Sequence, residues 1–327
     1  MTKTVSRREF LSRFGAAASA VAVLGPNGLA VSTAAPLYPH MDLSVFDTPI
    51  SAAPGDIRFG YAAITWGGDD LKAIEEIAAV GFRGIQLRSN VLERFGDRPA
   101  ALRDLLAQHQ LPMVAFSSGN LRLDPVVKAE ELAKHTRHAR FVRDVGGLYL
   151  QVIDERPKGR PIERDDYARL GRLLTDLGKQ TADLGIALAY HHHMNSLGER
   201  PDEVAPILDA SDPRYVKLLL DVAHYKQGGG DPVKAVRDYA ERLIFLHIKD
   251  VESPVPGASG DLSRSYRFVE LGRGAVDLKG VFAALADVRF RGWAIVELDR
   301  VPEPGRTPKE SALMNKKYLE EQLGFVI

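Results

Sequence analysis

The sequence predicts an α/β fold, a single (β/α)8 barrel, and three observations carry that prediction. From Ile57 onward a short apolar run is followed by a stretch of helical period and then a turn signal, and this alternation occurs eight times. Each unit takes roughly 30 residues, the spacing expected of a barrel of βα units. No Gly-x-Gly-x-x-Gly follows the first strand, which counts against a doubly wound dinucleotide-binding sheet. The Gly228-Gly229-Gly230 loop lacks the Lys-Ser/Thr pair that would make it a phosphate-gripping loop.

Taken in order, strands are expected at Ile57–Ile64, Gly84–Leu87, Met113–Ser117, Leu148–Ile153, Ile186–Tyr190, Val216–Asp221, Ile244–Ile248 and Ala294–Leu298. Helices are expected at Asp70–Val80, Ala100–Gln108, Glu130–Val145, Asp165–Leu184, Glu203–Ala210, Pro232–Tyr239, Leu278–Ala286 and Lys309–Gln322. The first helix shows the logic. Leu71, Ile74, Ile77, Ala78 and Val80 form one apolar stripe, while Lys72, Glu75 and Glu76 face away. Gly81 then ends it, as glycine commonly does past a helix C-terminus. The connection from Asp250 to Val276 is long and rich in Pro, Gly and Ser, which reads as a lid or binding loop.

The 327 residues carry 43 Lys plus Arg and 43 Asp plus Glu, so the formal net charge is zero. That excludes the basic excess of a protein held to nucleic acid by its phosphates, and no nucleic-acid partner is expected. With no cysteine, thiolate metal sites, disulfides and thiol nucleophiles are excluded, so any metal must be held by His, Asp and Glu. Residues 1–35 read as an export signal. Arg7 and Arg8 stand in Ser6-Arg-Arg-Glu-Phe-Leu11, an apolar stretch runs from Gly15 to Gly25, and small residues Ala30, Ala34 and Ala35 follow. That apolar run falls well short of the ~20 residues needed to cross a bilayer. The adjacent arginines resemble the twin-arginine signal, which implies a partner in that export machinery and a periplasmic or exported protein. Residues 36–55 read as a linker or arm, and 56–327 as the barrel.

Barrel chemistry sits at the C-terminal ends of the strands. Those ends carry Thr65-Trp66, Gln86 and Arg88, Ser117-Ser118, Asp154-Glu155, His191-His192-His193, Asp221 with His224, His247-Ile248-Lys249-Asp250, and Glu297. His191, Asp221, His247 and Glu297 come from four successive strands and together make a plausible cage for one divalent ion. Asp221 follows Leu218-Leu219-Leu220, where an unpaired carboxylate would be costly. If the strand persists, His191 and His193 share a face and His192 turns toward the helices. Lys249 and Asp250 could bind hydroxyls or pair with each other. His224 could orient the carboxylate or donate to substrate, and Arg273 is the long connection's best candidate for a substrate contact. Glu155 reads equally as an extra ligand or a solvated loop residue.

Asp221-Val-Ala-His224, His247-Ile-Lys-Asp250, Leu271-Gly-Arg-Gly-Ala-Val-Asp277 and Gly292-Trp-Ala-Ile-Val-Glu297, in this order and spacing, resemble the xylose isomerase-like TIM barrels, the sugar phosphate isomerase/epimerase superfamily. Within it, Trp66-Gly-Gly-Asp-Asp70 and Tyr190-His-His-His-Met194 look most like motifs of inosose dehydratases, which makes Trp66 a candidate substrate contact. The resemblance implies one divalent metal ion (manganese, cobalt, magnesium or zinc) held by His191, Asp221, His247 and Glu297. The family's ketose epimerases have Glu where this chain has His191. That removes one of the two glutamates that exchange a proton from opposite faces, although imidazole can itself serve as a base.

The resemblance further implies that the ion polarises a substrate carbonyl and a neighbouring hydroxyl while a base removes the adjacent proton. Reprotonation would isomerise or epimerise a keto-sugar or keto-cyclitol, and loss of a β-hydroxyl would dehydrate it. Glu297 is expected as ligand and base, His191 or His193 as acid, and His224 and Lys249 as holders of substrate hydroxyls. A non-catalytic periplasmic sugar binder is the main alternative. An abasic-site endonuclease is disfavoured, because the second to fourth strands end in Gln86, Arg88, Ser117 and Ser118 rather than in histidines and a glutamate. Self-association into a homo-oligomer stays open.

Overall fold

The computed structural model describes residues 57–255 and 264–327. The expected export signal (1–35) and arm (36–55) lie outside these described residues, as do residues 256–263 of the long connection. Eight parallel strands close into a barrel: β1 (Ile57–Ala62), β2 (Ile85–Arg88), β3 (Met113–Leu121), β4 (Tyr149–Asp154), β5 (Ala187–His191), β6 (Val216–Asp221), β7 (Leu243–Ile248) and β10 (Gly292–Val296). The closing pair is β1 with β10, in register from Ile57 opposite Gly292 to Tyr61 opposite Val296.

Around the strands lie helices α1 (Asp70–Val80) and α2 (Leu92–Phe95), then α3 (Pro99–Gln108), α4 (Lys128–Val145) and α5 (Arg164–Ala182). They continue with α6 (Pro201–Asp209), α7 (Val222–Gln227), α8 (Pro232–Asp238), α9 (Leu278–Asp287) and α10 (Pro308–Glu321). Helix α1 starts where the Asp69 carboxylate accepts from the Lys72 N–H at 3.1 Å, and it stops at Gly81, whose φ of 109° suits only glycine well. Strand β3 runs past its expected end to Leu121, and its register against β4 shifts between Ser117 and Asn120 around Gly119, at φ 89°. The long connection contains a hairpin that the sequence reading did not anticipate: β8 (Asp250–Glu252) pairs antiparallel with β9 (Arg267–Val269), Val251 opposite Phe268.

Apolar side chains form two layers. The larger lies between strands and helices, with Leu188, Tyr190, Leu218, Leu220, Leu246 and Ile248 pointing outward into it. The smaller fills the barrel itself and includes Ala189, Leu219, Phe245, Trp293 and Ile295, with Tyr149 packed against them. Tyr149 and Phe245 stack with centroids 5.2 Å apart and 9° between planes. Because side chains alternate along a strand, the inward residue two positions beyond Ala189, Leu219, Phe245 and Ile295 is His191, Asp221, His247 and Glu297 respectively. Apolar packing thus forms a floor, and the candidate ligands stand one layer above it.

Candidate metal centre

Asp221 is the hub. Its Oδ1 caps α7 by accepting from the N–H groups of Ala223 and His224, both at 2.9 Å, which leaves Oδ2 facing the barrel mouth. Oδ2 lies 3.4 Å from His247 Nδ1 and 3.6 Å from His191 Nε2, and His247 Nδ1 lies 3.5 Å from Glu297 Oε1. All four side chains are buried. His191 Nε2, Asp221 Oδ2 and His247 Nδ1 have no hydrogen-bond partner among the described residues. These three atoms lie within 4.8 Å of one another, and Asp221, His224 and Glu297 form a second, overlapping group of the same kind.

Buried polar atoms are nearly always partnered, so three converging orphans need a reason. Nitrogen and oxygen ligands about 2.1 Å from one tetrahedral ion stand ~3.4 Å apart, close to the separations seen here. The groups behind them set the lone pairs. His247 Nε2 meets Gln86 Oε1 at 2.9 Å, so that Nε2–H donates and Nδ1 stays bare. Gln86 Nε2 in turn donates to Glu297 Oε2 at 3.3 Å, leaving Oε1 for the mouth. Gln151 lies 2.7 Å from His191 Nδ1, and turning its amide over brings the otherwise unpartnered Oε1 onto an Nδ1–H. That tautomer frees His191 Nε2. This set of imidazole nitrogens and carboxylate oxygens fits a divalent ion.

Charge is arranged to match. Burial opposes the ionisation of Asp221, but His224 and Lys249 nearby and the close approach of His191 and His247 hold it well below the ordinary carboxylate range. Glu297 is likewise brought to about 2, burial being outweighed by His247 and Lys249. Burial pushes His191 down to about 3, so its ring is neutral, as a ligand must be.

The other expected residues divide. His193 and His224 join the site: their rings lie 3.8 Å apart, and His193 lies 5.3 Å from His191. His192 turns away onto Tyr225, at 5.4 Å, and its Nε2 accepts from the Asp221 N–H at 3.3 Å. Lys249 is buried in the mouth, but its three N–H donors already face Asp299 Oδ1 (2.5 Å), Glu297 Oε1 (3.1 Å) and His224 Nε2 (3.4 Å). Trp66 packs edge-on against Tyr61 and donates its N–H to Glu76 at 2.7 Å.

Arg273 is not brought to the cluster. Its guanidinium pairs with Glu270 at 3.0 Å and Glu303 at 3.4 Å, because the loop that carries it is wrapped around Asp250. The Asp250 carboxylate is not paired with Lys249; it accepts from the N–H groups of Val251, Gly272, Gly274 and Val276. Glu155 pairs with Lys158 at 2.9 Å in the loop after β4. Three residues of the site escaped the sequence reading: Gln151, Asp299 and Phe268. A glutamine inside Leu150-Gln151-Val152 and a second acid two positions past Glu297 were signals of period two that could have found the first two.

The chain is 28% identical over 298 residues to Inosose dehydratase 2 of Bacillus cereus, covering 82% of this chain and 98% of that protein. It is 27% identical over 293 residues to the inosose dehydratase of Geobacillus kaustophilus, covering 80% and 94%. Among solved structures, the IOLI protein with a bound zinc atom superposes with a TM-score of 0.68 at 20% identity, over 83% of this chain and 100% of that one. A probable 3-DHS dehydratase, AsbF from Bacillus anthracis, superposes with a TM-score of 0.62 at 15% identity, over 80% and 98%. These two likenesses show the shared barrel. The sequence itself matches a family description over residues 74–318, and on that match the chain belongs to the xylose isomerase-like TIM barrel family.

Proposed function

We propose that this protein is a divalent-metal-dependent enzyme that removes the proton beside the carbonyl of a keto-cyclitol or keto-sugar and completes a dehydration. The observation that carries the proposal is the trio of converging, unpartnered buried atoms on His191, Asp221 and His247. An ion held there would act as a Lewis acid toward a substrate carbonyl and an adjacent hydroxyl. Glu297, ionised and fixed by Gln86 and Lys249, presents Oε1 as the base. His193, beside His224 on the same side of the mouth, returns a proton to the leaving hydroxyl.

Dehydration is favoured over epimerisation by two things: the curated relatives are named inosose dehydratases, and histidine replaces one of the paired glutamates of the epimerases. The arginine pair near the N-terminus supports export through the twin-arginine route, with a non-phosphorylated sugar or cyclitol as substrate. The test is elemental analysis of the purified chain together with mass spectrometry of inosose incubated with it. One divalent ion per chain and loss of water from inosose are expected, and both should be lost in Asp221→Ala. Full turnover in Glu297→Gln would remove Glu297 as the base. Sugar binding without metal or turnover would instead identify a binding protein.

A further inference from the structure

Lys249 is entirely buried, and its ammonium is enclosed on more sides than three hydrogen bonds account for. The ring centroid of Phe268 lies 3.9 Å from Nζ, and the same ring meets His224 edge-on at 4.9 Å. Phe268 reaches this place because β9 folds back on β8, so the hairpin that follows β7 closes over the lysine at that strand's own end. Asp299, two residues past Glu297, supplies the shortest contact to the ammonium, at 2.5 Å.

We infer that Phe268 and Asp299 form a clamp that holds the Lys249 ammonium against Glu297, so that all three are positioning residues for the carboxylate rather than contacts for substrate. The inference rests on the role of Glu297 proposed above. Its physical basis is donor arithmetic. A lysine with two N–H groups on Asp299 and Glu297, and with His224 and Phe268 closing the remaining sides, has no open face for a sugar hydroxyl. Glu297 is gripped at both oxygens, by Gln86 at Oε2 and Lys249 at Oε1, which fixes the rotation of the carboxylate. A desolvated ammonium over an aromatic face is attracted to it, so the ring both orients the cation and excludes water from it. A small misplacement of a catalytic group can cost up to about a hundredfold in rate.

The clamp is tested in the full-length chain loaded with Co2+, whose visible absorption responds to the geometry of its ligands, alongside kinetics on inosose. Phe268→Leu and Lys249→Met are expected to shift the Co2+ bands and to lower kcat about tenfold. KM should stay within about twofold of the parent. Phe268→Tyr, which keeps the aromatic face, should restore the parental spectrum. Parental Co2+ spectra in both the Leu and Met variants would overturn the clamp. So would a large rise in KM at unchanged kcat for Lys249→Met, which would make the lysine a direct hydroxyl contact. If the parent binds Co2+ but leaves inosose unchanged, the substrate proposal fails, while the spectra still decide the clamp. A parent that takes up no Co2+ overturns both.

Discussion

Histidines gather at two places in this molecule, the barrel mouth and the outer wall where α4 covers β3. At the wall, Ser118 Oγ lies 2.5 Å from His135 Nδ1 and 2.7 Å from His138 Nδ1. His135 Nε2 faces the Asn120 carbonyl at 3.2 Å and Glu131 at 3.5 Å, and Arg122 and Lys134 hold Glu131 in turn. At the mouth the residue types are similar, yet three atoms converge without a hydrogen-bond partner among the described residues. Basicity does not separate the two groups either, since burial pushes His135 and His138 down to about 4 and His191 to about 3. What separates them is whether the hydrogen bonds close. A closed cluster holds two elements together, whereas an open one points to something that completes it.

The sharpest way to break this comparison is Asp221→Asn. The amide oxygen can still cap α7, so folding should survive, but the charge is gone. Metal content should fall to background by elemental analysis, and kcat/KM on inosose should drop by about a thousandfold or more. Retained metal would mean that the orphaned atoms are not the site. A smaller effect is expected one step behind the ligands. Gln151→Leu removes the group that orients His191 and should weaken metal affinity about 10–100-fold in a calorimetric titration.

The wall should respond in stability alone. Ser118→Ala leaves two imidazoles short of a partner and should cost about 1–3 kcal/mol in urea unfolding, with metal content unchanged. The wall also predicts a pH dependence. His135 and His138 titrate at about 4 when folded and at about 6.5 when unfolded, so between those values the unfolded chain binds more protons. Their contribution is therefore intact above about pH 6.5 and lost as the pH falls toward about 4. Thermal unfolding of His135→Leu should show a flatter decline than the parent across that window. The smallest effect is expected for Arg273→Ala. Its guanidinium is engaged with Glu270 and Glu303, so kcat/KM should change by less than about twofold. A tenfold loss would return Arg273 to the substrate site.

Much of this was legible in the sequence where local signals were complete. Helix Asp70–Val80 and strand Val216–Asp221 fall where periodicity put them, since Asp69 and Gly81 bracket the helix and Asp221 both ends the strand and caps α7. The convergence of His191, Asp221, His247 and Glu297 was legible for the same reason, because alternation on four strands aims each side chain inward. The hairpin was not, since its strands are three residues each and their register depends on Asp250 gathering backbone N–H groups up to Val276. Asp250 itself was misread, because a carboxylate that binds four amides looks in sequence like one that binds a sugar. The pairing of Arg273 with Glu270 and Glu303 was not legible for the same reason: the loop's path is set by long-range contacts that its composition does not reveal.

The stacked Tyr149 and Phe245, with Trp293 and Ile295 beside them, have a kinetic consequence. They plug the barrel below the candidate ligands, so the chamber above them is closed at that end. On the proposed function, product must leave by the mouth through which the reactant came. Release rather than bond breaking is therefore a natural place for the slow step, and accumulated product should inhibit competitively.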